Sequence, residues 1–409
     1  MMTGGGGIAG EHGLHGEYVG LGPLDEYPIH QMPRPVAWAG SSDRHFYDRC
    51  YLNCHDRTGD IFLISGLGFY PNLGTKDAFV LVRRGDTQTA VHLSDACDPR
   101  AGDRMEQRVG NYRIEILEPL QELRVVMEET EGIAVDLTWR GLHPVIQELP
   151  HVMRQGGGTV LDAQRFAQVG SWEGAILIDG EEIAVTPDVW TGSRDRSWGI
   201  RPQGEAIPAG KPADPPFEGM WWLYVPIGFE EFCLCMIIQE APDGYRTVND
   251  CTRVWRDGRV EQLGWPRVQI HYAPGTREPT GATIRATSAA GEEIVFEVES
   301  KLGVPIHVGG GYGGDSDWAH GVWKGAGFTE RVTYDMTDPQ VAGRVMFGVI
   351  DHVGRATVHG PGAGVPDGSE GWGLFEHGAL GRHDPSGFRD WFDLAQEPAK
   401  EPAQESTGQ

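Results

Sequence analysis

Residues 189–202 read Val-Trp-Thr-Gly-Ser-Arg-Asp-Arg-Ser-Trp-Gly-Ile-Arg-Pro and lie near the middle of the 409-residue chain. Between Gly192 and Gly199, the acid Asp195 stands between two arginines, and Trp198 follows it. Charged residues interleaved with aromatics and bracketed by glycines are atypical of a core strand and of a solvent loop. Such a segment is typical of a backbone that turns tightly beside a pocket. An Asp–Arg pair that fixes the junction between two domains is the alternative interpretation, with about equal weight.

The residues around this stretch predict antiparallel strands. Immediately upstream, apolar runs at 174–178 and 182–186 flank Asp179-Gly180, and an Asp-Gly turn between apolar runs indicates a hairpin. Further upstream, apolar residues alternate with others in three successive runs between residues 112 and 139. That pattern predicts an antiparallel meander with one buried face. Alternation resumes at residue 220, with Asp-Gly turns at 243 and 257.

The length and the repeated pattern predict an all-β fold of two domains. A chain of 409 residues exceeds what one hydrophobic core usually holds. Two sets of roughly eight short strands predict two antiparallel β-barrels with little helix. The predicted boundaries are a flexible tail at 1–20, a first barrel at 21–205, a proline-rich linker at 206–215, a second barrel at 216–392 and a disordered tail at 393–409.

Composition narrows the classes of partner. Thirty-four basic against 59 acidic residues give a net charge of −25, which repels phosphate backbones and predicts no nucleic-acid partner. Thirteen tryptophans, about two to three times ordinary usage, favour a large apolar cavity and a small apolar ligand. No signal peptide and no apolar run of about 18 residues is visible, so we expect a cytoplasmic protein without stable membrane insertion. The oligomeric state stays open.

The cysteines and histidines predict no metal site. The six cysteines, at positions 50, 54, 97, 233, 235 and 251, lack the paired CxxC spacing of a zinc site, and reduced thiols are the better interpretation. The histidines are scattered without ligand spacing. The glycine-rich stretch 309–314 lacks the Lys-Ser/Thr of a phosphate loop and is interpreted as a loop at a barrel mouth.

The segment Thr191–Gly199 resembles the Gly-x-x-Asp-x-x-Trp-Gly signature of the hydroxyneurosporene synthase (carotenoid hydratase, AttH-like) superfamily. The hairpin at 174–183 and the late sequence Gly371-Trp372-Gly373-Leu374-Phe375-Glu376-His377-Gly378 are similar to an uncharacterised bacterial branch of that group. The resemblance covers about residues 20–390. It implies two lipocalin-like barrels packed side by side, and a hydratase activity that needs no cofactor. Arg196-Ser197 departs from the hydratase pattern.

Asp195 is the first catalytic candidate, because the resemblance makes it the acid of the motif. Protonating an alkene, which is a weak base, requires a carboxylic acid that desolvation keeps protonated. If the motif is a strand, Ser193, Asp195 and Ser197 share one face, and Arg194, Arg196 and Trp198 share the other. The sequence leaves open which face lines the cavity.

Glu376 and His377 form a second catalytic candidate on an aromatic strand, where they could serve general acid–base work. For His377, a hydrogen-bonded structural histidine is the favoured alternative. The candidate ligand-binding residues are Arg194, Arg196, Ser197, Trp198, Trp222 and Trp372.

Three functions fit these observations. The first is a cofactor-free lyase or isomerase, hydratase-like, that acts on a bulky terpenoid, steroid or polyene-like molecule by acid–base chemistry. The second is a non-catalytic carrier of lipophilic molecules, since barrels of this kind often only bind. The third is an adaptor with filled barrels. A carboxyl group that faces a cavity favours the first.

Overall fold

The computed structural model describes residues 26–28, 39–98, 103–155, 158–205 and 216–396. The predicted linker 206–215, the tail 1–20 and positions 397–409 of the second tail lie outside the described residues. The described chain is all-β and antiparallel, as predicted. Its helices are two four-residue α-helices, α1 (Asp103–Glu106) and α2 (Pro339–Ala342), and three 3-10 turns at Val345–Phe347, Pro361–Ala363 and Asp384–Ser386. Among the described residues, no helix has the length and apolar character needed to cross a bilayer.

Thirteen strands precede residue 201 in the described chain. They are β1 (Phe46–Asp56), β2 (Ile61–Tyr70), β3 (Thr75–Arg84), β4 (Thr87–Ala96), β5 (Arg108–Val109), β6 (Tyr112–Glu118), β7 (Glu122–Thr130), β8 (Ile133–Gly141), β9 (Ile146–Gln147), β10 (His151–Gln155), β11 (Gly158–Ile178), β12 (Glu181–Val185) and β13 (Trp190–Ile200).

Ten further strands follow in the described part of the second half. They are β14 (Gly219–Gly228), β15 (Phe232–Glu240), β16 (Arg246–Trp255), β17 (Val260–Gln262), β18 (Arg267–Tyr272), β19 (Pro279–Thr287), β20 (Glu293–Pro305), β21 (Phe328–Asp335), β22 (Ile350–His359) and β23 (Ser369–Gly381).

These strands form two sheets. The first sheet has the order β21-β4-β3-β2-β1-β13-β11-β8-β7-β6-β5, with β9, β10 and β12 also paired to the long β11. The second sheet has the order β17-β16-β15-β14-β23-β22-β20-β19-β18. The predicted meander is confirmed as β6-β7-β8, and the predicted hairpin as β11-β12. Asp179 and Gly180 have φ of 50° and 85°, as a tight hairpin turn requires.

Each sheet curls around its own core. Strands from both ends of the first sheet's order, such as β3 and β7, contribute apolar side chains to one cluster, and the same holds for β16 and β19 in the second sheet. A third cluster, which we call the sheet interface, combines Tyr51, Phe79 and Val169 of the first sheet with Tyr224 and Leu374 of the second. The two curled sheets therefore pack side by side through faces that point away from their cores.

The central motif is a strand, and the tight turn expected from its glycines is wrong. Residues 190–200 form β13, which pairs with β1 on one side and β11 on the other. The glycines serve close packing within the sheet: a Cβ at Gly192 would lie 2.0 Å from the Asn53 carbonyl oxygen, and one at Gly199 would lie 2.1 Å from that of Asp162. Charged residues are tolerated in β13 because successive side chains point to opposite faces, so that each charged group lies beside an oppositely charged residue or a cavity.

One strand crosses between the two predicted halves. β21 belongs by sequence to the second half, yet it pairs with β4 at the edge of the first sheet, from Phe328 opposite Ser94 to Asp335 opposite Thr87. Beyond position 392, Ala395 exchanges backbone hydrogen bonds with Gly275 and Thr276. The predicted domain boundaries stay a prediction.

The six cysteines are free and buried, which confirms their interpretation as thiols. Burial raises the pKa of all five thiols with a resolved shift, so they are poor nucleophiles.

Candidate active site between the two sheets

A cavity of about 250 Å³ lies at the sheet interface, outside the core of either sheet. Its walls are largely aromatic and aliphatic, and several ionisable groups reach it. The apolar and aromatic lining includes Tyr47, Tyr51, Leu149, Met153, Leu161, Met220, Trp222, Tyr224, Ile306 and Tyr312. A concave, mostly apolar site with a few convergent polar groups is the usual form of a small-molecule site.

Asp195 faces this cavity from the first sheet. It lies directly opposite Tyr51 on β1, and directly opposite pairs in an antiparallel sheet point to the same side. Burial raises the pKa of Asp195 to about 6, although the guanidinium of Arg165 acts against this rise. Within the described residues, no hydrogen-bond donor contacts its carboxyl group. The group is therefore free to exchange a proton with a ligand.

Glu376 faces the same cavity from the second sheet. Its Oε1 accepts a hydrogen bond from Trp222 Nε1, which holds the carboxyl group against the cavity wall. Burial raises the pKa of Glu376 to about 7, and the negative charge of Asp195 adds to this rise. The two sheets therefore each present to the cavity a carboxyl group that titrates near neutral pH.

The second sheet has another carboxyl group, Asp351, directly behind Glu376. The two residues are direct partners on β22 and β23. Asp351 is fully buried and accepts a hydrogen bond from the hydroxyl of Tyr51. Burial and the charge of Glu376 raise the pKa of Asp351 well above its usual range. Two carboxyl groups that are hydrogen-bonded to each other do not both ionise easily, so Asp351 and Glu376 titrate as a pair.

Two of the arginines in the lining, Arg165 and Arg49, are held by neighbouring side chains. Arg165 forms an ion pair with the buried Glu148, and its guanidinium lies 4.9 Å from the ring centre of Tyr224. Arg49 lies 4.5 Å from the ring centre of Tyr312 and donates to His320 Nε2 at 2.6 Å. Both guanidinium groups act on Asp195 through space and limit the rise of its pKa.

Of the candidates predicted from the sequence, four meet at this cavity: Asp195, Ser197, Trp222 and Glu376. Alternation along β13 holds as expected, and the face with the carboxyl group is the one that lines the cavity. The cavity itself lies between the sheets, whereas the prediction placed it inside a barrel.

Arg194 and Arg196 lie on the opposite face of β13, within the first sheet. Arg194 pairs with Glu26 at 2.5 Å and contacts the Gln168 side-chain oxygen through two of its nitrogens. Arg196 pairs with Asp48 at 3.0 Å. Both guanidinium groups are almost fully buried and paired with a carboxylate, so their position indicates a structural role.

Trp198, Trp372 and His377 lie away from the cavity lining. Trp198 contacts the ring of Phe166, and Trp372 donates to Glu370 at 2.7 Å. His377 points into the second sheet's core, where Nδ1 contacts the Trp222 carbonyl oxygen at 2.7 Å and Nε2 contacts the Tyr272 hydroxyl at 2.8 Å. Burial lowers the pKa of His377 to about 3, so the ring is neutral and held by two hydrogen bonds.

The sequence analysis missed Asp351, Tyr51, Arg49 and Arg165. Asp351 carried a weak signal, because it is the single acidic residue of the ten-residue strand β22. Arg49 and Tyr51 are separated by two positions, which places them on one face of β1. The contact of Tyr51 with Asp351, 300 positions away, depends on how the two sheets pack.

No group of three or more His, Cys, Asp or Glu side chains suited to a metal ion occurs within the described ranges. The prediction of no cofactor stays a prediction.

Comparisons with solved structures give three distant likenesses. A candidate AttH protein from Nitrosomonas europaea is 12% identical with a TM-score of 0.48, over 86% of this chain and 98% of that one. Kievitone hydratase from Nectria haematococca is 13% identical with a TM-score of 0.46, over 80% and 88%. CghA is 12% identical with a TM-score of 0.48, over 82% and 89%. At this level of similarity, no residue role or activity carries over from them.

Comparison with curated proteins gives no significant match. A family model, in contrast, matches residues 21–389, which include both sheets and every residue of the cavity. The chain therefore belongs to DUF8625, a family of unknown function.

Proposed function

We propose that this protein is a cofactor-free acid–base enzyme, a hydratase-like lyase or isomerase, whose substrate is an apolar unsaturated molecule of terpenoid, steroid or polyene type. One observation carries the proposal. Asp195 and Glu376 come from different sheets, face one aromatic cavity, and have pKa values raised to about 6 and about 7. Perturbed carboxyl groups that converge on a cavity are typical of catalytic sites.

The two pKa values suggest a division of roles. Glu376, with the higher pKa, is the better proton donor near neutral pH, and Asp195 is the better acceptor. Glu376 would give its proton to one alkene carbon, so that the π pair forms a C–H bond and the other carbon becomes cationic. Water would then form a C–O bond at that cation and lose its proton to Asp195. In an isomerase, Asp195 would instead remove a proton from a neighbouring carbon.

The cavity wall suits a cationic intermediate. The rings of Tyr51, Trp222, Tyr224 and Tyr312 line it, and aromatic faces attract positive charge. Asp351 lies behind Glu376 and could return a proton to it after each turnover.

Cavity size narrows the substrate class. A volume of about 250 Å³ lies just below the range of about 300–1,000 Å³ usual for small-molecule sites. A compact mono- or bicyclic terpenoid therefore fits the cavity better than a long polyene.

A solvent-exchange experiment tests this proposal. The protein is incubated in D₂O with a library of unsaturated terpenoids and steroids, and mass spectrometry measures carbon-bound deuterium. We expect incorporation with at least one compound, fastest between about pH 6 and pH 7, because Glu376 must be protonated while Asp195 is ionised. Asp195→Asn and Glu376→Gln should each slow incorporation by roughly 10²- to 10⁴-fold.

Exposed carboxyl groups provide matched controls. Asp60→Asn and Glu182→Gln make the same chemical changes at exposed positions and should leave incorporation unchanged. Binding is followed separately by quenching of tryptophan emission. Compounds that bind tightly without any deuterium incorporation would contradict an enzyme and indicate a carrier.

A further inference from the structure

Arg49 has a hydrogen-bond donor that the described protein residues do not use. It lines the cavity and is only 4% exposed. Its Nη2 donates to His320 Nε2 at 2.6 Å, whereas Nη1 is buried without a hydrogen-bond partner among the described residues. A buried charged N–H group that lacks a partner costs free energy, because it has given up water without replacement. An acceptor atom on a ligand would remove that cost.

The guanidinium group is held in place before any ligand binds. Its Nη2 contacts His320 Nε2, which also lies 3.0 Å from the Gly310 carbonyl oxygen. The other ring nitrogen, Nδ1, is 3.5 Å from Asp77 Oδ1. Burial lowers the pKa of His320 to about 4, which agrees with a neutral ring. Tyr312, from the glycine-rich stretch 309–314, packs against the guanidinium at 4.5 Å. A preorganised donor binds its acceptor with little further ordering cost.

A second buried polar atom in the same cavity also lacks a partner among the described residues. The Tyr224 side chain is 2% exposed, and its hydroxyl group makes no hydrogen bond within the described chain. Two ring nitrogens in the lining, His151 Nε2 and His307 Nδ1, also lack a partner among the described residues. Such unsatisfied polar groups in one largely apolar cavity indicate a ligand that carries oxygen as well as hydrocarbon.

The charge of the lining identifies the oxygen group. Three guanidinium groups reach the cavity, from Arg49, Arg165 and Arg201, and Arg165 is paired with Glu148. The other two carboxyl groups in the lining, Asp195 and Glu376, are partly protonated near neutral pH. Arg49 and Arg201 both lie over the ring of Tyr312, so the positive excess is at that end of the cavity, inside a chain whose net charge is −25. Such a local field selects an anion.

We propose that the ligand of this cavity is an amphipathic acid, with an apolar body and one anionic oxygen group, a carboxylate or an enolate, that accepts hydrogen bonds from Arg49. This inference rests on the proposed function, because it concerns the substrate of the same cavity. It adds a binding subsite to the carboxyl groups that would carry out the chemistry.

Calorimetric titration with three related compounds tests the subsite. Geranic acid, methyl geranate and geraniol share one hydrocarbon body, and only the first is an anion at pH 6.5, where Glu376, with a pKa of about 7, is still largely protonated. We expect the wild-type protein to bind geranic acid about tenfold or more tightly than the ester or the alcohol, as charge-assisted hydrogen bonds usually give. Equal affinity for the acid and the ester would overturn the proposal, and this comparison needs no variant.

Variants test whether Arg49 causes the preference for the acid over the ester. Arg49→Gln should remove the preference for the acid and leave ester binding within about twofold, since the hydrocarbon contacts are unchanged. Arg49→Lys should keep part of the preference, because it retains the positive charge. Arg259→Gln, at an exposed arginine remote from the cavity lining, should retain all of it. A preference that survives intact in folded Arg49→Gln would contradict the assignment.

The two proposals fail in distinguishable ways. Asp195→Asn should keep the preference for geranic acid while it loses deuterium incorporation. A protein that prefers the acid but incorporates no deuterium would support the subsite and contradict the enzyme.

Discussion

Adjacent residues of β13 belong to different environments, because successive side chains of a strand point to opposite faces. Arg194 and Arg196 are buried within the first sheet and paired with acids. Asp195, between them, faces a cavity, and its pKa rises instead of falling. Sequence proximity of an acid to two arginines therefore predicts the wrong direction for its pKa. The rise comes from burial, and the negative charge of Glu148 adds to it.

The raised pKa of Asp195 predicts how stability depends on pH. Because folding raises this pKa from 3.8 to about 6, the folded state binds the proton more tightly than the unfolded chain. Stability from this group is therefore full below about pH 4 and is lost as the pH rises through 6. The loss amounts to about 2–3 kcal/mol. Asp195→Asn should not show this pH-dependent loss of stability, because asparagine does not ionise.

Urea unfolding at pH 4.5 and pH 8 measures this effect. We subtract the unfolding free energy of the wild type from that of Asp195→Asn at each pH. We expect this difference to be about 2 kcal/mol larger at pH 8 than at pH 4.5, which means that the variant gains stability relative to the wild type. Asp60→Asn, at an exposed position, should show no such change. A difference of the opposite sign would mean that Asp195 is a stabilising ion-pair member.

At the scale of single elements, β13 is held between β1 and β11 so closely that two of its positions admit no side chain. Gly192 lies opposite Gly170 of β11 and against the Asn53 carbonyl oxygen of β1. The Asn53 side chain accepts from the Ser193 amide and donates to the Ser193 hydroxyl. The strand that carries Asp195 is therefore fixed from both sides.

Gly192→Ala tests this packing. The new Cβ would lie 2.0 Å from a backbone oxygen, so neighbouring strands must move apart. We expect a loss of about 3 kcal/mol or more of unfolding free energy, at the upper end of overpacking costs. Gly343→Ala is the less crowded comparison and should cost clearly less, because a single described atom, the Pro339 carbonyl oxygen at 3.0 Å, lies within 4 Å of its Cβ. A near-neutral Gly192→Ala in chemical denaturation would contradict the close approach of these strands.

Elements could be predicted from the sequence where one face is buried and the other is exposed. The meander β6-β7-β8 and the hairpin at Asp179-Gly180 are of this kind. For β1, β2 and β13 both faces are buried, so alternation gives two faces without saying which one meets the cavity. The same limit applies to β23. Glu376 and His377 are both ionisable and adjacent, and the sequence does not show which one faces the cavity, although they lie on opposite faces.

At the scale of the molecule, the two sheets share buried structure. The sheet interface contains apolar side chains of both. Tyr51 of the first sheet donates to Asp351 of the second, and the Leu149 amide donates to Asp250 at 3.0 Å. β21 comes from the second half of the chain but pairs with β4 of the first sheet, so the chain itself connects the two sheets there. If either sheet were removed, the interface face of the other sheet would be exposed to water.

This sharing predicts a single unfolding transition. Far-ultraviolet circular dichroism and tryptophan emission should give the same midpoint in urea, although tryptophans lie in both sheets. Tyr51→Phe should lower that common midpoint, because it leaves the buried Asp351 without its donor. Two separated transitions would contradict the shared interface.

The burial of Asp351 and Glu376 ties acid strength to assembly. Their pKa values are raised chiefly because the two sheets together keep water away from them. If the sheets separated even slightly, water would enter, and both groups would return towards the acidity of an ordinary surface carboxyl group. In a partly open or half-folded molecule, both groups would then be ionised at neutral pH. Under the proposed function, such a molecule could not give a proton to carbon, and activity would belong to the closed pair of sheets alone.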